Sequence, residues 1–135
     1  MIKIFKYIKR QFFIFISPTR PTITYKEYLS LKFLIKSPAK VLNVGSSSFT
    51  LLGSKFWNII PGEYSLIILD LFPGENVDVV ADAENMPFDN GTFDLVVCQA
   101  VLEHVQNPKN IINEINRVLK KQGLFYCTEI GRAHV

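Results

Sequence analysis

The sequence predicts an α/β fold, a doubly wound parallel sheet covered by helices. Five short, almost continuously apolar segments are typical of parallel strands that are buried on both faces. The segments between them have helical spacing or turn residues. The chain of 135 residues has the size of one domain, and we expect a sheet of about five strands. The predicted strands are Val41–Val44, Ser65–Leu69, Val77–Ala81, Phe93–Cys98 and Leu124–Thr128.

The first predicted element is the basic amphipathic segment Met1–Ile16, whose apolar residues share one arc of a helical wheel and whose lysines share another. We favour a helix that packs on the domain with its basic side in water. A helix on an anionic membrane surface is an alternative. A signal peptide is less favoured because the apolar core Phe12–Ile16 is short. With a second short helix at Tyr25–Ile35, residues 1–39 form a predicted helical cover.

The predicted core, residues 40–129, begins with the strand that stops at Gly45. Helical spacing follows over Phe49–Ile60. The next two strands end at Asp70 and Asp82, and the connection between them is too short for a helix. Apart from that connection, the predicted helices and strands of this core alternate as in a doubly wound sheet.

A further core helix is predicted to begin at Asn107, which would cap it, with Pro108 in the first turn. Gly123 would end this helix, and the last strand would follow. The predicted apolar face consists of Ile111, Ile112, Ile115, Val118 and Leu119.

Composition and charge exclude several classes of protein. Hydrophobic residues make up 48% and charged residues 20%, which indicates a globular core and not a disordered chain. No apolar run approaches the roughly 18 to 20 residues of a membrane-spanning helix. Residues 1–62 contain ten Lys or Arg and one acid, whereas residues 63–135 contain five and eleven. This split argues against a uniformly basic nucleic-acid-binding protein.

The two cysteines, Cys98 and Cys127, are too few for a disulfide scaffold and lie in apolar strands. We therefore expect buried thiols in a reducing, cytoplasmic compartment. Neither cysteine has neighbours at zinc-ligand spacing, so no metal site is predicted.

Chemistry-bearing residues follow the predicted strands. In doubly wound sheets, ligands bind beyond the carboxyl ends of the strands, where strand order reverses. Gly45 would let the backbone approach a ligand closely, and Ser46 and Ser47 precede a helix N-terminus that favours an anionic group. Asp70 can accept hydrogen bonds from ribose hydroxyls. Asp82 can accept one from an exocyclic amine such as that of adenine.

Four runs carry a family resemblance: VLNVGSSS, IILD, VVADAENMPFDNGTFDLVVCQAVLEHV and NPKNIINEINRVLKKQGLFY. The segment Val41–Cys127, about two-thirds of the chain, resembles the class I S-adenosylmethionine-dependent methyltransferases of the ubiquinone and menaquinone methylase branch. The resemblance implies a Rossmann-like fold, S-adenosyl-L-methionine as cofactor, and methyl transfer to a small-molecule acceptor. It implies cofactor contacts at Asn43, Gly45, Ser46, Ser47, Asp70, Leu71, Asp82, Ala83 and Gln99.

The resemblance leaves two interpretations of Glu103-His104 and two of the function. His104 is a candidate general base for a hydroxyl acceptor, but we favour a role of both residues in orienting the cofactor loop.

The family usually has an acid at Asn43 and more glycines after it. This departure favours the alternative function, a non-catalytic binding or interaction module at a membrane surface. A dehydrogenase is disfavoured because G-x-G-x-x-G is missing.

The last expectation concerns the C-terminal end. The resembled fold has seven strands, so we expect a C-terminally truncated chain that is inactive or weakly active. The strand Leu124–Thr128 would then be an exposed apolar edge, which folded proteins avoid. Residues 130–135 match the translation of a common sequencing adapter, and we expect them to be a non-native tail.

Overall fold

The computed structural model describes residues 13–16, 35, 37–45, 63–99 and 101–128. Within these residues one parallel sheet has the order β1-β6-β5-β2-β3-β4. The five predicted strands are confirmed, and a further strand precedes them. The elements are β1 Phe13–Ile16, β2 Ala39–Val44, β3 Tyr64–Asp70, β4 Val79–Val80, β5 Phe93–Gln99, a short 3-10 helix Leu102–His104, helix α1 Pro108–Val118 and β6 Leu119–Thr128.

The helix predicted over Met1–Ile16 is wrong at residues 13–16, which form β1. This strand pairs in parallel with β6, from Phe13 beside Leu124 to Ile16 beside Cys127. Alternating aromatic and β-branched residues favour a strand, and a short apolar run does not distinguish a strand from a helix. The expectation that β6 leaves its outer edge exposed is therefore also wrong. The predicted helix over 49–60, and that over 25–35 apart from Ile35, lie outside the described residues.

The sheet buries apolar side chains on both faces, as the continuous apolar strands predict. Alternate residues of β2 and β5 point to opposite sides, so Leu42 and Val96 lie in one cluster while Val41 and Leu95 lie in the other. Helix α1 covers the first face. It contributes the buried residues Ile111, Ile112, Ile115 and Val118. On the second face Ile35 packs with the strand residues.

Helix α1 begins as predicted, with Asn107 at the N-cap and Pro108 in the first turn, although the Asn107 side chain makes no capping hydrogen bond. Its predicted end is wrong. The helix stops at Val118, and Gly123 lies inside β6. A Cβ on Gly123 would lie 2.9 Å from the carbonyl oxygen of Lys120. Gly123 is therefore required by close backbone approach, not by a helix end.

Two further observations complete the fold. Cys98 is buried, as predicted, whereas the Cys127 side chain lies outside the described residues. Among the described residues, no helix combines the length and apolar character that crossing a membrane requires.

Candidate cofactor-binding site

A cavity of about 490 Å³ lies at the carboxyl ends of β2, β3 and β4. Strand order reverses beside it, since β3 and β4 follow on one side of β2 and β5 lies on the other. This is the position at which doubly wound sheets bind ligands. The size falls within the range of small-molecule sites. The described lining consists of Val44, Gly45, Leu69, Asp70, Leu71, Phe72, Ala81, Asp82, Ala83, Glu84, Val101, His104, Val105, Gln106 and Ile111.

Gly45 forms the floor of the cavity where β2 ends. Its φ of 92° is a left-handed conformation that favours glycine, and its N–H donates to the carbonyl oxygen of Leu69 at 2.8 Å. Asn43 lies two residues earlier and is fully buried. Its Nδ2 donates to the Gly45 carbonyl at 3.3 Å, while its Oδ1 has no hydrogen-bond partner among the described residues. The turn thus places a backbone without a Cβ at the cavity, whereas Asn43 supports the turn and is not part of the described lining.

Asp70 ends β3 and Asp82 lies two residues after the neighbouring strand β4, and both line the cavity. The Ala81 N–H donates to the Asp70 carbonyl at 2.9 Å, which fixes the two strand ends relative to one another. Asp70 Oδ1 accepts from the Phe72 N–H at 3.1 Å, and Asp82 Oδ1 accepts from the Glu84 N–H at 2.8 Å. Each carboxylate is therefore held by its own backbone turn.

Apolar and acidic side chains surround these two aspartates. Leu71 is 56% exposed and Phe72 is 69% exposed, so both present apolar surface at the mouth of the cavity. Among the described residues that line it, three are acids (Asp70, Asp82 and Glu84) and none is Lys or Arg. The cavity therefore suits a ligand that combines an apolar ring, hydroxyl groups and positive charge.

His104 lines the same cavity from the 3-10 helix that follows β5. Its N–H donates to the Val101 carbonyl at 3.0 Å, and its side chain is exposed. Gln99 ends β5, but its side chain lies outside the described residues, as do the side chain of Glu103 and both Ser46 and Ser47.

Of the predicted site residues, the cavity thus brings together Gly45, Asp70, Leu71, Asp82, Ala83 and His104. Sequence reasoning missed Phe72, Glu84 and Gln106. Phe72 could have been predicted from the sequence, because a residue two positions after Asp70 lies at the same edge of the sheet as the end of that strand.

An ion pair behind the cavity was also missed. On α1, Arg117 Nε donates to Glu114 Oε1 at 2.8 Å, and Arg117 Nη2 donates to Glu114 Oε2 at 2.9 Å. This paired geometry is the strong form of an arginine–carboxylate contact. The hydrogen bonds from Arg117 hold the pKa of Glu114 below its ordinary value, and those to Glu114 raise the pKa of Arg117.

The pH dependence of stability should reveal this pair. Because the pKa of Glu114 is lowered in the folded chain, its contribution is fully present above the ordinary carboxyl pKa of about 4.3 and is lost as pH falls through the lowered value. Glu114→Gln should therefore cost about 1 kcal/mol of unfolding free energy near neutral pH. Urea denaturation should show this difference shrinking below about pH 4. A difference that stays constant with pH would contradict the prediction.

With the cavity described, comparison with known families decides what the chain is. A family profile described as a methyltransferase domain matches residues 45–127, more than half of the chain. The chain belongs to the methyltransferase domain family. The match begins at Gly45 and includes Asp70, Asp82 and His104, so the family region contains the described strand-end residues of the cavity.

Relatives of this methyltransferase domain confirm the resemblance to ubiquinone and menaquinone methylases. The demethylmenaquinone methyltransferase of Staphylococcus saprophyticus is 29% identical over 121 residues, 81% of this chain and 52% of that protein. The ubiquinone biosynthesis O-methyltransferase of Glaesserella parasuis is 43% identical over 44 residues, 33% of this chain and 19% of that protein. An uncharacterised protein of Methanocaldococcus jannaschii is 41% identical over 79 residues, 58% and 35% of the two chains.

A solved structure confirms the fold of the methyltransferase domain. The S-adenosylmethionine-dependent methyltransferase of Aquifex aeolicus superposes with a TM-score of 0.53 at 18% identity, covering 71% of this chain and 58% of that one. This chain spans about half or less of the length of the curated relatives it matches.

Proposed function

We propose that this chain forms the S-adenosylmethionine-binding part of a methyltransferase that acts on a small-molecule acceptor. The observation that carries the proposal is the convergence of Gly45, Asp70 and Asp82 on one cavity in a chain of the methyltransferase domain family. The names of the quinone-methylating relatives support a small acceptor. We place the protein in the cytoplasm.

The residues present fit the cofactor by chemical type. Asp70 would accept hydrogen bonds from the two ribose hydroxyls, and Asp82 would accept one from the adenine amine. Leu71 and Ala83 would contact the adenine ring. At the other end, the turn at Gly45 admits the methionine part because no Cβ blocks it. The proposed set also includes Asn43, Ser46, Ser47 and Gln99.

Asn43 gives a specific reason to expect a polar ligand or an ordered water near this turn. Its Oδ1 is buried and has no hydrogen-bond partner in the described part of the chain, and such an atom costs about 1–3 kcal/mol of stability. Its Nδ2 already supports the Gly45 carbonyl. A donor brought close by ligand binding would remove that cost.

The protein's part in the reaction is mainly orientation. S-adenosylmethionine supplies, when bound, a methyl group on a sulfonium that already contains its leaving group. Asp70 and Asp82 would fix the nucleoside so that the methyl group faces the acceptor in line. His104 and Gln106 lie on the rim, where an acceptor would enter. His104 would either take the proton of a hydroxyl acceptor or orient the loop beside the cofactor.

Isothermal titration of the full chain with S-adenosylmethionine, and with NAD as the control ligand, tests this proposal. We expect saturable binding of S-adenosylmethionine and no binding of NAD, because the turn after β2 lacks the glycine pattern that approaches a pyrophosphate. Absence of binding to either ligand would favour the non-catalytic module instead. Preferential NAD binding would overturn the methyltransferase proposal.

A further inference from the structure

The segment that follows Asp82 is fastened to helix α1. The Met86 N–H donates to Glu114 Oε2 at 2.7 Å, and Arg117 Nη2 donates to the Met86 carbonyl at 2.9 Å. Arg117 Nη1 donates to the Phe88 carbonyl at 2.7 Å and to Asn90 Oδ1 at 2.9 Å. The Arg117 guanidinium therefore donates to Met86, Phe88 and Asn90, and also to the Glu114 carboxylate.

Further hydrogen bonds connect this segment to Asp82, which lines the cavity. The Asn85 N–H donates to the Asp82 carbonyl at 2.9 Å and the Glu84 N–H donates to Asp82 Oδ1 at 2.8 Å, so residues 82–85 form a closed turn that ends one residue before Met86. Asn110 of α1 donates through Nδ2 to Glu84 Oε1 at 2.8 Å. Met86 itself is only 3% exposed. A shift at residue 86 would therefore move the Asp82 carboxylate.

On its other side, Asp82 follows the short strand β4, whose end is joined to β3 by the hydrogen bond from the Ala81 N–H to the Asp70 carbonyl. Strand β4 has two residues, Val79 and Val80, and among the described strands it pairs with β3. Val80 is 54% exposed. Because β4 is shorter than a usual strand, the contacts with α1 add a second restraint on the position of Asp82.

We propose that Glu114 and Arg117 are positioning residues, which set the affinity of the cavity for its ligand by holding the Asp82 carboxylate in place. The inference rests on the proposed function, since it takes S-adenosylmethionine as the ligand. Lysine cannot replace Arg117 in this role, because a point charge with three rotatable donors does not match the planar fork that reaches Glu114, Met86 and Phe88 together.

A double-mutant cycle between Arg117 and Asp82 tests the inference. Titration with S-adenosylmethionine should show that Arg117→Lys raises Kd about threefold to tenfold in the parent chain. In the Asp82→Ala background the same substitution should change Kd by less than about twofold, because the carboxylate it positions is gone. A purely structural effect on the domain would weaken binding equally in both backgrounds.

Two further variants keep the test decisive. If Arg117→Lys does not fold, Glu114→Gln replaces it in the cycle, because glutamine keeps the shape of the side chain. Its effect on Kd should depend on Asp82 in the same way. Lys120→Gln removes another ion pair, to Asp94 at 3.2 Å, away from the cavity lining. It should leave Kd unchanged.

Each outcome of the cycle has a distinct meaning. Equal losses in the two backgrounds, or no loss in either, would overturn this inference while leaving the proposed function intact. A parent chain that does not bind S-adenosylmethionine would overturn the proposed function and this inference with it.

Discussion

The Asp70→Ala variant is expected to bind S-adenosylmethionine about 10- to 150-fold more weakly than the parent chain. Hydrogen bonds to a charged group contribute about 1.5–3 kcal/mol, and each 1.4 kcal/mol is a factor of about ten in Kd. Asp70 lies at the end of β3, where its Oδ1 is oriented by the Phe72 N–H and its carboxylate lines the cavity. Isothermal titration measures the change directly.

Matched variants separate this loss from general damage. Glu75→Ala removes an exposed carboxylate from the connection that follows Asp70, outside the described cavity lining, and should leave Kd unchanged. Asp82→Ala should weaken binding less than Asp70→Ala, since water can replace one hydrogen bond to an amine. Unchanged affinity in Asp70→Ala, with a normal thermal transition, would refute the assignment of this cavity.

The sheet could be predicted from the sequence because its strands are buried on both faces. A continuous apolar run such as Val41–Val44 has few alternatives once a helix-length segment follows it. β1 could not be predicted in this way. Phe13–Ile16 pairs with Leu124–Cys127, which is distant in sequence, and the local pattern of those residues also fits a helix. Only the tertiary pairing distinguishes the two structures.

The cavity was predictable to the extent that strand ends define it. Gly45, Asp70 and Asp82 each lie at or just beyond the end of a strand, and parallel strands bring their carboxyl ends to one edge. The supports of the cavity were not predictable. Arg117 lies on a helix and has the appearance of an exposed charge, yet it donates to backbone carbonyls at Met86 and Phe88. These contacts depend on the backbone conformation of residues 86–90, which the sequence pattern does not predict.

The second large effect is expected at β1, where the pairing with β6 overturns a sequence-based prediction. Along an edge strand, successive N–H groups point alternately toward the neighbouring strand and toward solvent. Ile14→Pro and Phe15→Pro should therefore differ, because proline removes the N–H and is tolerated only where that N–H faces solvent. Leaving a buried partner carbonyl unsatisfied costs about 1–3 kcal/mol, so one proline variant should lose that much unfolding free energy relative to alanine at the same position.

The other proline variant should lie within about 0.5 kcal/mol of the alanine variant at the same position in urea denaturation. Ile14→Ala and Phe15→Ala are the controls, since each removes the apolar side chain and keeps the backbone N–H. A helix over residues 1–16 would instead be broken by proline at both positions. Equal losses would therefore support the helix, and no loss in either variant would mean that β1 does not contribute to the sheet. An unequal pair would establish that this segment closes the edge of β6, where an unpaired strand would otherwise invite association with another chain.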